Sequence, residues 1–78
     1  LLSEKLQIYK SQVAWAVRNE MARTVEDFLA RRTRALFLDA RESLRIAPDV
    51  AVIMAKELGK TRRWRLSQLA AYEEVAKN

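Results

Sequence analysis

Apolar residues recur at helical spacing along most of the chain. Between residues 11 and 20 they are Val13, Ala14 and Val17, which lie on one side of a helix. Met21 continues the same stripe one turn later. The pattern therefore predicts a short amphipathic first helix over this range, with its apolar side facing a core.

A second helix is predicted to begin after Thr24, whose side-chain oxygen can accept a hydrogen bond from an amide of the first helical turn. Glu26 and Asp27 follow in that turn, where the helix dipole favours negative charge. We expect this helix to end near Arg31 or Arg32. Its apolar face consists of Val25, Phe28 and Leu29.

A third helix should follow, with two possible starts: Thr33 caps it, or the chain turns through residues 33 to 36 first. It is expected to end before Pro48, because proline lacks the amide that a helix interior needs. Its apolar face consists of Phe37, Ala40, Leu44 and Ala47. Pro48 would then begin a fourth helix, which Gly59 closes in the left-handed conformation. The stripe of that helix consists of Val50, Ile53, Met54 and Leu58.

Thr61 can cap a fifth helix that runs almost to the end of the chain. Leu69, Tyr72 and Ala76 line one face of it, and Trp64 can pack near its start. Residues 1–10 mix apolar and charged side chains without a strong cap, so we interpret them as an incoming linker or a strand. With one glycine and one proline in 78 residues, the chain is predicted to be an all-α, small bundle of about five short helices.

The chain contains no cysteine and no histidine, which excludes a thiol nucleophile, a disulfide, the usual zinc site and an imidazole base. Asp27 is explained by the helix dipole and by a partner, Arg31, four residues later. No catalytic residue and no metal ligand is therefore predicted. Aromatic side chains at helical spacing typically pack in a core rather than stack on a base or a flavin. They are Trp15, Trp64 and Tyr72.

A net charge of +5 is compatible with binding to nucleic acid, to anionic lipid or to an acidic protein surface. Arg31, Arg32 and Arg34 form a cluster that could bind carboxylates or phosphates, or could form ion pairs within the domain. No stretch of 18 uncharged apolar residues is present, and a secretory leader is not evident. We therefore expect neither a membrane-spanning helix nor secretion.

Two short helices joined by residues 21 to 23 and followed by arginines suggest a helix-turn-helix. Against this interpretation, the turn lacks glycine, and Glu26 and Asp27 would repel phosphates where a recognition helix contacts bases. Nucleic acid is thus an unlikely partner. A free-standing basic helical module that binds nucleic acid or a protein partner stays open as the alternative hypothesis.

The run VRNEMARTVEDFLARRTRALFLDA at residues 17–40 resembles the signature segment of a known domain, and APDVAVIMAKELG at residues 47–59 continues the match. Trp64 and Gln68 extend it to about residue 72. The resembled domain is the C-terminal helical domain of FAD-dependent glycerol-3-phosphate dehydrogenases. The resemblance implies that residues 11–78 are a C-terminal cap or accessory domain of a larger flavoenzyme.

Enzymes of the resembled family oxidise sn-glycerol 3-phosphate to dihydroxyacetone phosphate, reduce FAD and pass the electrons to quinone or oxygen. Their flavin and substrate sites lie in N-terminal domains, and a chain with one glycine lacks the glycine-rich turn that a dinucleotide fold requires. The resemblance thus implies FAD in the full-length enzyme and none on this fragment. It also implies contacts with the N-terminal domains and between oligomer subunits, and a cytoplasmic enzyme with peripheral membrane association.

The resemblance carries an interdomain docking role, without turnover, onto motif positions that include Glu26 and Thr33. The remaining docking residues are Arg18, Glu20, Arg23, Thr24, Asp27, Arg31, Arg32, Arg34 and Asp39. The chain departs from the family pattern after Gly59, where KTRRWR adds positive charge that could favour an anionic membrane surface.

Overall fold

Five helical segments make up the fold in this computed structural model, which describes residues 1–77 without the side chains of Arg32 and Lys77. Over those residues no β-strand is present, and one isolated bridge joins Ser3 and Ile8. The predicted all-α bundle of about five short helices is therefore confirmed. The segments are α1 (Lys10–Asn19), α2 (Asp27–Arg32), α3 (Ala35–Leu38), α4 (Ala40–Leu58) and α5 (Arg62–Lys77).

The core lies along α4, a helix of 19 residues against which α1, α3 and α5 pack. Its buried face repeats every three or four residues, as a helix with one apolar side requires. That face consists of Ser43, Ile46, Ala47, Val50, Ala51, Met54 and Ala55. Val13 and Val17 of α1, Phe28 and Leu29 of α2, and Tyr72 of α5 complete the same core. The predicted apolar faces of these segments are thus largely the buried ones.

Pro48 lies inside α4, so the prediction of two helices meeting at this residue is wrong. Proline removes one helical hydrogen bond, but Pro48 is on the exposed side, where water can hydrate the carbonyl left without a donor. On the other side, Ile46 and Val50 are fully buried. Tertiary burial of a continuous apolar face outweighs the local cost of the proline.

The start of α2 follows the prediction, but its hydrogen bonding does not. The Asp27 amide donates to Thr24 Oγ1 at 3.0 Å, and the Thr24 amide donates to Asp27 Oδ2 at 3.2 Å, a reciprocal capping box. The segment is then a π-helix, in which the Thr33 amide donates to the Phe28 carbonyl at 2.9 Å. The predicted cap at Thr24 is confirmed, and the end at Arg32 agrees with expectation.

Two apolar residues that were expected to continue helical stripes are exposed instead. Met21 lies beyond the end of α1 with a φ of 60°, and Phe37 lies in α3 with three-quarters of its surface exposed. Asp39 is extended, with a φ of −160°, so α3 and α4 do not share one helical phase. The predicted face that begins at Phe37 therefore fails there, whereas Ala47 is buried as expected.

Residues 1–10 were predicted as an incoming linker or strand; residues 1–9 pack against the bundle, and Lys10 begins α1. Leu2 and Ile8 are buried, and the Ile8 amide donates to the Ser3 carbonyl at 3.0 Å. The Ser3 hydroxyl donates to Glu42 Oε2 at 2.6 Å, and Arg45 Nη2 donates to the Leu2 carbonyl at 3.2 Å. These contacts fasten the segment to the first turns of α4.

The second half of the bundle is closed by the turn that the sequence predicts. Gly59 adopts a φ of 68°, and the Lys60 amide donates to the Ala55 carbonyl at 2.8 Å. Thr61 Oγ1 accepts from the Trp64 amide at 3.3 Å and caps α5. α5 returns along α4, and across the described part of the chain no helix combines the length and apolar character needed to cross a bilayer.

A buried hydroxyl pair joins α5 to α4. The Tyr72 hydroxyl donates to Ser43 Oγ at 2.9 Å, and Ser43 Oγ donates to the Ala40 carbonyl at 2.9 Å. Burial raises the pKa of the Tyr72 phenol, because the charged form is poorly solvated there. In the described residues no buried side-chain nitrogen or oxygen lacks a hydrogen bond. Tyr72 is thus a packing residue with a satisfied polar end.

Candidate interdomain docking surface

The arginine-rich segment, residues 17–40, begins with an arginine that is used within the domain. Arg18 Nη2 donates to Glu57 Oε1 at 2.6 Å, and Arg18 Nε donates to Glu57 Oε2 at 3.1 Å. This bidentate pair joins α1 to the last turns of α4. The guanidinium of Arg18 holds two helices of the same domain together, and its predicted role in docking another domain stays a prediction.

Arg23 and Glu20 lie in the turn between α1 and α2. Arg23 Nη1 donates to the carbonyls of Val17 at 3.3 Å and Ala22 at 3.2 Å, so the guanidinium satisfies backbone acceptors near the end of α1. The Glu20 amide donates to the Ala16 carbonyl at 2.9 Å. The geometry gives Arg23 a role in fixing this turn.

Asp27 collects three donors from its own neighbourhood. Its Oδ2 accepts from the amides of Arg23 at 3.1 Å and Thr24 at 3.2 Å, and its Oδ1 accepts from Arg31 Nη1 at 3.3 Å. Arg31 also lies 3.8 Å from Glu26 Oε2. The Asp27 to Arg31 pair, which the spacing predicts as the alternative to docking, is present. Two carboxylates therefore compensate the charge of Arg31 inside the domain.

Thr33 and Arg34 lie between α2 and α3. Thr33 Oγ1 donates to the Leu29 carbonyl at 3.4 Å and accepts from the Ala35 amide at 3.2 Å, which ends one helix and starts the next. Arg34 has a φ of 59°, the left-handed region that favours glycine. Within the described residues its guanidinium has no hydrogen bond and no salt bridge. The side chain of Arg32 lies outside the described part of the structure.

An apolar projection follows Arg34. Phe37 and Leu38 are 75% and 72% exposed, whereas Ala35 of the same helix is fully buried. Arg41 comes next in α4, is exposed, and likewise has no ionic or hydrogen-bonded side-chain partner among the described residues. We call Arg34, Phe37, Leu38 and Arg41 the knuckle. Its two apolar residues lie between two unneutralised arginines along the chain.

Asp39 ends the segment and caps α4. Its Oδ1 accepts from the Glu42 amide at 3.1 Å, and its Oδ2 lies 3.3 Å from Lys5 Nζ. The amide hydrogen bond, followed by that from Lys5, lowers the pKa of the Asp39 carboxyl. Asp39 was predicted as a docking residue, and the structure shows it joining α4 to the N-terminal segment.

Glu42 was not among the predicted site residues, and it is the centre of the adjoining polar network. Arg45 Nε and Nη2 each donate to this carboxylate at 2.8 Å, and the Ser3 hydroxyl donates at 2.6 Å. The hydrogen bonds from Arg45 and then from Ser3 lower the pKa of Glu42 to about 2. Asp39 followed three residues later by Glu42 is a pattern that marks the start of a helix. This pattern could have indicated a structural role for Glu42, but not its contact with Ser3.

A groove of about 410 Å³ opens between α1 and α2 beside the arginine-rich segment. Trp15 lies on its rim with more than half of its surface exposed, so this aromatic is not the core residue that was expected. Trp64 is partly buried against the core, as predicted. The groove is lined by Ser11, Gln12, Trp15, Ala16, Glu20, Phe28 and Thr33.

Known proteins share this sequence well beyond the arginine-rich segment. Residues 1–74 match the family described as the C-terminal domain of alpha-glycerophosphate oxidase. The chain belongs to this family. The matched range includes the N-terminal segment that packs on α4, the knuckle and the polar networks.

Two relatives of this C-terminal domain are both named mitochondrial glycerol-3-phosphate dehydrogenase. The Schizosaccharomyces pombe protein is 43% identical over 49 residues, which are 63% of this chain and 8% of that protein. The Saccharomyces cerevisiae protein is 37% identical over 60 residues, which are 73% of this chain and 9% of that protein. The C-terminal domain thus spans less than a tenth of either relative. No solved structure matches it.

The described residues contain no glycine-rich turn of the kind that opens a dinucleotide-binding fold. Gly59 is the one glycine of the chain, and it ends α4 instead of opening a helix after a strand. The described residues also contain no group of three or more acidic side chains placed to hold a metal ion. The described surface combines internally paired charges, the knuckle, and the exposed arginines Arg62 and Arg63 at the start of α5.

Proposed function

We propose that this chain is the C-terminal domain of an FAD-dependent glycerol-3-phosphate dehydrogenase, in which it packs against the flavin and substrate domains. The match of residues 1–74 to the family carries the proposal, and the names of the two relatives support the activity. The complete enzyme would oxidise the secondary alcohol of sn-glycerol 3-phosphate to the ketone of dihydroxyacetone phosphate. The bound flavin would accept the two electrons.

In this proposal the domain stabilises and positions its partner domains and takes no part in turnover. The motif residues support the absence of turnover, because Arg18, Arg23 and Asp27 already bond to groups of the domain itself. A residue committed to a cap or to a helix-helix contact is not available to transfer protons to a substrate. Oligomer contacts through the exposed faces stay a prediction.

The location of the complete enzyme is also part of the proposal. Both relatives carry the word mitochondrial in their names, whereas the family resemblance implies a cytoplasmic enzyme with peripheral membrane association. Exposed basic residues at the start of α5 are compatible with an anionic surface. Cytoplasmic location and membrane association both stay predictions.

The alternative of a free-standing nucleic-acid-binding module is not favoured. A recognition helix contacts bases through its N-terminal residues, and α2 presents Glu26 and Asp27 there. Arg31, which would contact phosphate, pairs with both of these carboxylates. The family match gives no support to this alternative either.

The proposal is tested on the native polypeptide, isolated from its source with an antibody against this domain. We expect a yellow protein several times heavier than the 9.1 kDa of the present chain. Its flavin absorption should bleach when sn-glycerol 3-phosphate is added without an electron acceptor. A colourless species near 9.1 kDa would contradict the proposal.

A further inference from the structure

We propose that the knuckle is the part of this domain that inserts into its neighbour, an apolar pocket rimmed by carboxylates on the preceding domain of the same polypeptide. The inference rests on the proposed function and names the contact through which the domain packs on the enzyme. It replaces the arginine cluster Arg31, Arg32 and Arg34 as the expected docking element, because Arg31 is already neutralised.

The fold holds the apolar pair of the knuckle outside the core. α3 has four residues, and Ala35 anchors it with no exposed surface. The Asp39 amide donates to the Ala35 carbonyl at 2.9 Å, and Asp39 then caps α4, so both ends of the projection are fixed. Phe37 and Leu38 cannot reach the core without breaking these contacts. Large apolar side chains held in water at a fixed place are typical of a binding surface.

The turn at Arg34 fixes where its side chain leaves the backbone. Arg34 has a φ of 59°, a strained conformation for a residue with a side chain, which Gln7 and Met21 also adopt. The turn places the Arg34 guanidinium at the start of the apolar projection without any partner in the described part of the domain. An arginine fork can bind a carboxylate with two parallel hydrogen bonds.

Charge decides the chemistry of the partner. Arg18, Arg31 and Arg45 each have a carboxylate in the domain, whereas Arg34 and Arg41 have none among the described residues. Two unneutralised arginines beside Phe37 and Leu38 complement an apolar pocket with carboxylates at its edge. Phosphate groups of a lipid surface would also pair with the arginines, and the experiment below distinguishes that source.

The match to a family of C-terminal domains favours the preceding domain as the occupant. The N-terminal segment lies beside the knuckle, because Lys5 Nζ is 3.3 Å from Oδ2 of Asp39, which lies between Leu38 and Arg41 in sequence. The matched segment makes up 8% and 9% of the two relatives, so most of their length lies outside it. A partner surface on the same polypeptide is therefore within reach.

Hydroxyl-radical footprinting of the complete flavoprotein tests the proposal, because labelling reports the solvent exposure of individual side chains. We expect the labelling of Phe37 and Leu38 to be at least about tenfold lower than for the same side chains exposed to solvent. This corresponds to a pocket that is filled in roughly nine molecules of ten. Val52 and Leu66, which are 46% and 58% exposed elsewhere on the domain, serve as controls in the same sample. Labelling of Phe37 equal to that of Leu66 would overturn the proposal.

Variants test the charge component in the same protein. Arg34→Asn with Arg41→Gln removes both charges, and asparagine tolerates the left-handed backbone at residue 34. Labelling of Phe37 should then rise, while Arg34→Lys with Arg41→Lys retains protection. A rise without change at buried Met54 shows that the domain remains folded. Unchanged protection of Phe37 in the Asn and Gln variant would overturn the carboxylate rim.

The source of protection is distinguished by adding phosphatidylserine vesicles. Protection of Phe37 in the flavoprotein without vesicles supports the preceding domain as the partner. Protection that requires vesicles overturns it in favour of a lipid surface. A coloured protein with fully labelled Phe37 overturns this inference and leaves the proposed function intact, whereas a protein without flavin overturns the proposed function and the occupant together.

Discussion

The two halves of the arginine-rich segment use their charged residues in opposite ways. In residues 18–31, Arg18, Arg23 and Arg31 each bond to a carboxylate or a carbonyl of the same domain. In the second half, Arg34 has no such partner in the described structure, and neither has Arg41, which directly follows the segment. A cluster of arginines in a sequence is therefore not one functional surface, because each guanidinium binds whatever acceptor the fold brings within reach.

The difference follows from where each half lies in the bundle. The first half crosses between α1, α2 and the end of α4, and these elements supply Glu57, Asp27 and free carbonyls. The second half forms the short helix α3, whose outward side meets no other described element. Buried contacts stabilise the first half, and the second half stays available for a partner.

The largest expected difference in stability between the two halves comes from replacing one phenylalanine with alanine in each half. Phe28 is 2% exposed and Phe37 is 75% exposed. Phe28→Ala should lower the free energy of unfolding by about 3 to 5 kcal/mol, because it removes a core side chain and leaves a cavity. Phe37→Ala should change it by less than about 0.5 kcal/mol. Urea titrations of the 78-residue chain, followed by circular dichroism, measure both values. Equal losses would contradict the division of the segment.

A smaller effect is expected at Asp27. Asp27→Ala removes the carboxylate that accepts from two amides and from Arg31, and should cost about 1 to 2 kcal/mol of unfolding free energy. Arg34→Asn in the second half should be within about 0.5 kcal/mol of the wild-type value, because it breaks no contact and suits the backbone. The same titration compares them. A larger loss for Arg34→Asn would show that Arg34 has an internal role.

Acid should weaken the polar network that follows the second half. Glu42 has a pKa of about 2 in the folded domain, below its ordinary value of 4.5, so it contributes stability above about pH 4.5 that is lost as the pH falls towards 2. The lowered pKa of Asp39 acts in the same direction. In Glu42→Gln, the urea concentration at the unfolding midpoint should decrease less between about pH 4.5 and pH 2 than in the wild type. Glu73→Gln, at an exposed position, is the control and should keep the wild-type slope.

The smallest effect is expected for Arg18 and Glu57. Their side chains meet at 2.6 Å, but that of Arg18 is 66% exposed to solvent. A double-mutant cycle with Arg18→Ala and Glu57→Ala should give a coupling of about 0 to 1 kcal/mol, decreasing with added salt. A coupling above about 2 kcal/mol, insensitive to salt, would show that the pair is far better shielded than its exposure indicates.

Features set by neighbours in sequence were predictable. The caps at Thr24 and Thr61, the left-handed end at Gly59 and the Asp27 to Arg31 pair all join residues within four positions of each other. Such bonds form wherever a helix begins or ends, because the side chain is already close to the backbone group. The family pattern was also recognisable from the sequence alone, and the match over residues 1–74 agrees with it.

Features set by packing were not predictable. Ser3 reaches Glu42 across 39 positions, and Gln68 Oε1 accepts from the Val25 amide across 43. No local pattern marks such partners, because they depend on how α4 and α5 lie in the bundle. The predictions at Pro48 and Phe37 were wrong for the same reason, because packing decided the outcome. Burial of the opposite side of α4 outweighs the cost of the proline, and the break at Asp39 turns Phe37 outward.

The contact between Lys5 and Asp39 bears on how strongly the knuckle needs to bind. A domain joined to the N-terminal segment by a short tether would hold the knuckle in its immediate vicinity. Short tethers give effective concentrations of the order of millimolar, so a surface too weak to capture a separate protein can remain occupied within one chain. The same knuckle supplied in trans would then bind poorly, and this domain would recognise its partner through connectivity as much as through contact.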